Sequence, residues 1–234
     1  MQEITVNSFV HLIELFGSYY DYRYIFRGTK DKDYKLVPRI GRREFDNFPS
    51  AEIEGTTERP TLLKVESLMF NDFIRECVPY LQEKPRNRWE MLAIAQHHGL
   101  PTRLLDWSRN PLVAAFFAVC DEHPTDSAVF VYGIGDVPVV ALNHQKAPLT
   151  ITETMIYTPA HVTRRITAQA CVFTAHSDLR TPLEDSTIVK LGIPNAQRRI
   201  IKKSLHKLGT HMASVFPDLG GVAKYVEWRN AAIY

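Results

Sequence analysis

The sequence has few cysteines, no strong excess of one charge and no long hydrophobic run. Its three cysteines, Cys77, Cys120 and Cys171, lie far apart in apolar stretches without CxxC spacing, which predicts buried thiols rather than a disulfide framework. A cytoplasmic location is expected, because the cytoplasm keeps thiols reduced. The longest nearly uncharged run, residues 110–120, is far shorter than the roughly 20 residues of a membrane span. The acid-bearing N-terminus does not resemble a signal peptide, and no membrane partner is expected.

The overall composition indicates a folded protein and leaves its partner open. Hydrophobic residues make up 45% of the 234 residues, charged residues make up 23%, and the formal net charge is +2. These values do not suggest disorder, and the net charge does not mark a nucleic-acid binder. A charged partner must therefore be recognised by a local patch. The basic segment 196–208 is either such a polyanion site or a solvated helix face.

The hydrophobic spacing predicts one α+β domain over residues 1–234, with a helix-rich N-terminal half packed on a mixed or antiparallel sheet. Helices are predicted at residues 6–16, 61–82, 88–98, 112–119, 196–208 and 219–230. Strands are predicted at residues 22–26, 34–38, 103–106, 128–132, 166–174 and 187–191. The polar stretch 41–60 is expected to be irregular or to hold a short helix.

Polar side chains are concentrated in residues 96–110, QHHGLPTRLLDWSRN, between two apolar helices. Gln96 and His98 are expected to project from apolar helix faces, where an unpaired polar group costs ~1–3 kcal/mol. Backbone groups of neighbouring loops could satisfy them, or the cluster could form a functional site, since loops held between rigid elements often carry function. Arg103 and Asp106 could form an ion pair across the turn.

Two features of the sequence point to an anionic ligand. The Asn-Pro pair at 110–111 is a good start for a buried helix, and helix N-termini bind anions through free N–H groups. Arg27 stands at the predicted end of the strand YRYIF, followed by Gly28, which lets the backbone turn or approach a ligand closely. An arginine there could grip a phosphate. The alternative is a core arginine paired with Asp106 or Glu66.

Several of these strings resemble one protein family. The string YIFRGT, then Glu66 and Phe70, then AIAQHHGLPTRLLDWSRNPLVAAFFA resemble the FRG domain family, named for its Phe-Arg-Gly motif. The resemblance covers roughly residues 20–135. The later string RRITAQACVFTAH also looks like the family's strand with a glutamine, although family members usually have glycine where this chain has Cys171.

The FRG family is in turn distantly similar to ADP-ribosyltransferases, and this implies an ADP-ribosyltransferase-like fold with NAD as the substrate. In those enzymes a catalytic glutamate often follows a Gln or Glu by two residues. Gln169 falls at the earlier position, and Cys171 stands where the glutamate is expected. Another acid could serve, with Glu153, Glu184 and Glu227 as candidates. Otherwise His97 or His98 could act with Asp106, because histidine titrates near neutral pH, or the activity is lost.

The resemblance implies a set of site residues and a function. The expected catalytic residues are Arg27, His97, Ser108 and Gln169. The expected cofactor-binding residues are Arg27, Gly28, Gln96, Arg103 and Asp106, without a metal. The expected function is NAD-dependent transfer of ADP-ribose to a macromolecule, RNA, DNA or protein, by a toxin or phage-defence effector with a possible cognate antitoxin protein. The alternatives are a non-catalytic nucleotide- or partner-binding module, or a folding core with the function elsewhere.

Overall fold

The computed structural model describes residues 1–42, 61–81, 83–141, 147–160 and 164–231. Its helices are α1 (Phe9–Gly17), α2 (Leu62–Glu76), α3 (Arg88–His97), α4 (Pro111–Val119), α5 (Arg164–Ala168), α6 (Asn195–Lys207), α7 (Met212–Val215) and α8 (Leu219–Ala231). Its strands are β1 (Gln2–Thr5), β2 (Tyr24–Thr29), β3 (Leu104–Ser108), β4 (Ser127–Gly133), β5 (Met155–Tyr157), β6 (Cys171–Ala175) and β7 (Ile188–Ile193). No helix of the described residues is both long enough and apolar enough to cross a membrane.

The seven strands form one mixed sheet, as the sequence predicted. The strand order is β1-β7-β4-β2-β3-β6-β5, in which β1 runs parallel to β7 and all other neighbours are antiparallel. β2 pairs with β4 along its whole length, from Tyr24 opposite Gly133 to Thr29 opposite Ala128. By contrast, β2 pairs with β3 at a single position, where Phe26 lies opposite Ser108. The sheet is therefore weakly joined at its β2–β3 junction.

Helix α4 is buried against the sheet, as its uniformly apolar sequence predicted. Asn110 is its N-cap, because the side-chain Oδ1 accepts a hydrogen bond of 2.9 Å from the backbone N–H of Leu112. Gly28 allows β2 to lie directly against this helix. A Cβ atom at Gly28 would stand 1.9 Å from the carbonyl oxygen of Ala114. The glycine is thus required for helix packing, a role that the sequence analysis did not foresee.

A second core lies under α2 and α3 and contains a buried ion pair. Arg103 Nη2 lies 2.7 Å from Glu66 Oε2, and both side chains are 1% exposed. Glu66 Oε1 also accepts a hydrogen bond of 2.7 Å from the backbone N–H of Arg103. The expected ion pair between Arg103 and Asp106 is therefore wrong. Arg103 instead fastens α2 to the segment that leads into β3.

The element boundaries differ from the predictions at several points. Residues 34–38 contain no strand, and the predicted strand 166–174 is the short helix α5 followed by β6. The helix predicted over 61–82 ends at Glu76. β2 extends to Thr29, so Arg27 lies inside the strand rather than at its tip. The strands β1 and β5 were missed, and most of the stretch 41–60 lies outside the described residues.

Candidate functional site

A cavity of about 320 Å³ lies at the weak β2–β3 junction, bounded also by the end of α3, by α5 and by the start of β6. Seven of the eight site residues expected from the sequence line it: Arg27, Gly28, Gln96, His97, Asp106, Ser108 and Gln169. Arg103 does not, because its guanidinium is buried with Glu66. The fold thus brings together residues that are up to 142 positions apart in the chain (169 − 27).

Arg27 bridges the two strands where their backbones pair poorly. Its Nη1 atom donates a hydrogen bond of 2.5 Å to the backbone carbonyl of Asp106 and lies 3.7 Å from Asp106 Oδ2. The side chain is 16% exposed. Burial lowers the pKa of the Arg27 guanidinium, and the Asp106 carboxylate opposes that shift. Arg27 therefore has the Asp106 partner that the sequence left as an alternative, and it still faces the cavity.

Asp106 is held by a short chain of side-chain hydrogen bonds. Gln96 Nε2 donates to Asp106 Oδ2 at 3.1 Å, and Thr102 Oγ1 donates to Gln96 Oε1 at 2.8 Å. Side chains, rather than loop backbone, thus satisfy Gln96. The expectation that His98 projects from an apolar face is wrong, because His98 is exposed.

His97 is the last residue of α3 and is partly buried in the cavity wall. Burial and the neighbouring charge of Arg165 lower the pKa of His97 to about 4. Its ring is consequently neutral at pH 7, which disfavours the predicted use as a general acid near neutral pH. It can still accept or donate one hydrogen bond to a ligand.

Ser108 and Gln169 are fixed by contacts within the protein. Ser108 is 5% exposed, and its hydroxyl donates to the Gln169 carbonyl at 2.6 Å and accepts from the Asn110 N–H at 2.9 Å. Gln169 Nε2 donates to the Val215 carbonyl at 3.1 Å. Both side chains therefore tie the cavity wall together, and these contacts give Ser108 a structural role beside its expected catalytic one.

Arg165 is a cavity residue that the sequence analysis missed. Its Nε atom is buried without a hydrogen-bond partner within the described residues, and its guanidinium carbon lies 4.4 Å from the centroid of the Phe216 ring. Burial lowers the pKa of Arg165, and the charges of Asp106 and Asp218 oppose this. The pair of arginines in RRITAQ was a visible signal, but the strand predicted there obscured which side chain faces the site.

Among the described residues that line the cavity, Asp106 is the one carboxylate. Glu153, Glu184 and Glu227, the acids proposed from the sequence, do not line it. Cys171 does, but burial and the charge of Asp106 raise the pKa of its thiol to about 12. The thiol is then protonated at pH 7 and is not a nucleophile. The described part of the chain contains no group of three acidic, His or Cys side chains that could hold a metal ion.

The basic helix α6 lies away from this cavity, and two of its cations serve the fold. Arg198 is buried and donates to the carbonyls of Lys30 and Asp121 at 2.7 and 2.6 Å. Lys202 donates to the carbonyl of Cys120, just after α4, at 2.6 Å. Cations at the end of a helix satisfy its last carbonyls. A polyanion site on α6 would have to use the remaining basic side chains.

The fold and the cavity define a mixed α/β protein with one seven-stranded sheet and two arginines at its weak junction. Residues 22–127 match the family model of the FRG domain. This segment is therefore an FRG domain by its family match, as its sequence motifs predicted. Comparisons with curated proteins and with solved structures gave no match. The matched segment contains Arg27, Gln96, His97 and Asp106, whereas Arg165 and Gln169 lie beyond it.

Proposed function

We propose that this protein binds NAD in the β2–β3 cavity and transfers its ADP-ribose group to a macromolecule, with release of nicotinamide. The observation that carries the proposal is the charge of the cavity. Two guanidinium groups, those of Arg27 and Arg165, line it together with the single described carboxylate of Asp106. Arg165 has a buried Nε–H without a hydrogen-bond partner in the described residues. A buried unpaired donor is costly, so an anion with several acceptor oxygens is the favoured occupant.

The size and the apolar wall of the cavity fit part of a dinucleotide. Its volume of about 320 Å³ is near the lower end of the ~300–1,000 Å³ that ligand sites occupy. It would therefore take the nicotinamide, its ribose and the adjoining phosphates, with the adenosine outside. Phe117 and Phe173 also line it, and aromatic faces attract a cationic ring such as the pyridinium of NAD. Arg27 and Arg165 would hold the pyrophosphate.

As biological context, this proposal includes a role as a toxin or phage-defence effector, with a nucleic-acid acceptor and a cognate antitoxin. The second candidate is a nucleotide-binding module without activity. It is favoured by Cys171, which stands where the resembled enzymes carry an acid and whose thiol stays protonated. Both candidates need the same ligand in the same cavity. They differ in whether the bond between ribose and nicotinamide is broken.

The test measures NAD binding by calorimetry and nicotinamide release by chromatography, with cell extract or RNA as the acceptor. Arg165→Gln is expected to weaken NAD binding by roughly 10- to 100-fold, because a charge-assisted hydrogen bond contributes about 1.5–3 kcal/mol. Arg164→Gln is the matched control, since Arg164 is exposed and does not line the cavity. Binding without release of nicotinamide favours the module. Absence of NAD binding rules out both candidates.

A further inference from the structure

We propose that Asp106 is the catalytic carboxylate of this site, and that Gln96, held by Thr102, positions it. This inference rests on the proposed function, which requires that the bond between ribose C1′ and the nicotinamide nitrogen break. The bonding electrons go to that nitrogen, so nicotinamide leaves as a neutral molecule and the sugar becomes an oxocarbenium-like cation. Such transition states are stabilised by carboxylates placed beside them.

The second half of the step needs a base. A hydroxyl or amine of the acceptor, or water, adds its oxygen or nitrogen to C1′ and loses one proton. Asp106 accepts that proton and later returns it to solvent, so the balance is NAD⁺ plus acceptor gives ADP-ribosyl acceptor, nicotinamide and one H⁺. A positioned general base typically contributes 10²- to 10⁴-fold to the rate.

The register of β3 and β6 places Asp106 beside the position that lacks an acid. Asp106 pairs with Phe173, and Ser108 pairs with Cys171. Side chains two residues apart on a strand share one face of the sheet, so Asp106 and Cys171 are diagonal neighbours on that face. Because the Cys171 thiol is protonated, the negative charge in this part of the cavity comes from Asp106.

The hydrogen bonds around Gln96 orient the carboxylate and do not merely bury it. The Thr102 hydroxyl accepts from the Leu104 N–H at 3.1 Å, which leaves its single proton for Gln96 Oε1 at 2.8 Å. The Gln96 amide must then point its NH₂ group at Asp106 Oδ2, 3.1 Å away. Thr102 is fully buried, whereas the Asp106 side chain is 56% exposed. A surface carboxylate that needed only water would not require this buried support.

Arg27 completes the arrangement from the other strand. It holds the backbone carbonyl of Asp106 at 2.5 Å and its Nη1 atom lies 3.7 Å from Oδ2. The contacts of the carboxylate are thus to Oδ2, and Oδ1 has no hydrogen bond within the described residues. In this proposal Oδ1 is the atom that takes the proton. His97 does not compete for this role, since its pKa of about 4 leaves the ring neutral at pH 7 and without the negative charge that stabilises an oxocarbenium-like sugar.

The first test replaces Asp106 by asparagine, which keeps the shape and the acceptor for Gln96. In the full-length protein, Asp106→Asn is expected to lower the rate of nicotinamide release at least 100-fold while the Kd for NAD changes less than about threefold. Asp136→Asn, an exposed position outside the cavity, should leave both quantities unchanged.

The second test separates positioning from structure. Thr102→Val removes the hydroxyl that fixes Gln96, and kcat should fall about tenfold or more with the Kd for NAD retained. Thr102→Ser keeps the hydroxyl and should restore kcat to within about twofold of the wild type. If Thr102→Val fails to fold, Gln96→Leu replaces it with the same expectation, because Gln96 is only partly buried.

The outcomes distinguish this inference from the function on which it rests. Wild-type rates in Asp106→Asn overturn the role of Asp106 but leave the transferase proposal standing. Loss of NAD binding in parallel with turnover also overturns it, because Asp106 would then be a binding residue. If the wild-type protein binds NAD and releases no nicotinamide, the proposed activity itself is wrong and the inference falls with it.

Discussion

Gly28 helps to position the site, because its lack of a side chain lets β2 lie directly against α4. A Cβ atom there would stand 1.9 Å from the Ala114 carbonyl oxygen and 2.6 Å from the Ala118 nitrogen, both in the backbone of α4. Backbone atoms cannot rotate away as side chains can, so the strand and the helix would have to separate. Because Arg27 is the preceding residue of β2, such a separation would also displace the guanidinium.

We predict that Gly28→Ala lowers the free energy of unfolding by about 2–3 kcal/mol, since overpacking typically costs 1–3 kcal/mol. Urea unfolding followed by circular dichroism measures this. The control is Gly17→Ala at the end of α1, where a Cβ atom would meet nothing within 4 Å. That variant should be as stable as the wild type or slightly more stable, because alanine is the better helix former. Equal stability of the two variants would contradict the packing role of Gly28.

At this scale the sequence identified the motif strings but not the role of every residue in them. Arg27, Gln96 and Asp106 were recognisable because polar residues in apolar surroundings need partners. Arg165 was not recognisable, because its place in the cavity depends on the short helix α5. The β-branched and aromatic residues near α5 had led to the prediction of a strand there. Its unpaired Nε atom is a property of packing, and no local pattern encodes it.

Helix α2 and the segment before β3 are joined by charge as well as by apolar contacts. Glu66 and Arg103 are each 1% exposed and form hydrogen bonds of 3.1 and 2.7 Å through Arg103 Nε and Nη2 to Glu66 Oε2. Burying two charges is costly, and the pair repays that cost only while both partners are present. The segment also carries Thr102, so this ion pair supports the hydrogen-bond chain that reaches Asp106.

We predict that Glu66→Gln destabilises the protein by about 3–5 kcal/mol, because it leaves the Arg103 guanidinium buried without a counter-charge. Asp72→Asn, on the same helix but in an exposed pair with Arg75, should change the unfolding free energy very little. Thermal unfolding of both variants checks this. A small effect of Glu66→Gln would mean that water reaches Arg103.

Most helices were predictable from the spacing of their apolar residues, whereas the strands β1 and β5 were not predictable in this way. Helix α4 combined an N-cap, a first-turn proline and an apolar sequence, all of which are local signals. Strand β1 is four residues long, and it is a strand because Gln2 to Thr5 align with Val189 to Gly192 of β7. β5 has only three residues and depends on β6. Pairing between distant segments leaves little trace in either sequence.

The stability of the whole molecule is expected to fall at acidic pH because of a buried histidine. His176 is 2% exposed, and its Nε2 lies 2.9 Å from Thr174 Oγ1. Burial and the charge of Arg27 lower the pKa of His176 to about 4. Below about pH 6.5, the unfolded chain binds a proton at this histidine that the folded protein does not bind. The stabilisation that neutral His176 contributes to the folded protein is therefore fully present above pH 6.5 and is lost as the pH falls towards 4.

We predict that the unfolding free energy of the wild type falls by about 2 kcal/mol more than that of His176→Gln between pH 7.5 and pH 4.5. Glutamine stays neutral throughout and can keep a hydrogen bond to Thr174. Guanidinium titrations at both pH values measure the difference. If the two proteins lose the same amount, folding does not lower the pKa of His176.

The strand order has a consequence for how this chain acquires its shape during synthesis. The interior strand β4 lies between β2 and β7, so its two neighbours leave the ribosome well before it and well after it. Most of the β2 backbone stays unpaired until Ser127–Gly133 has been made, and one edge of β4 then stays unpaired until Ile188–Ile193 has been made. Chains dominated by such distant pairings fold in milliseconds to seconds, and during that time they expose aggregation-prone strand edges. One edge of β4 thus stays unpaired in the nascent protein until β7 docks.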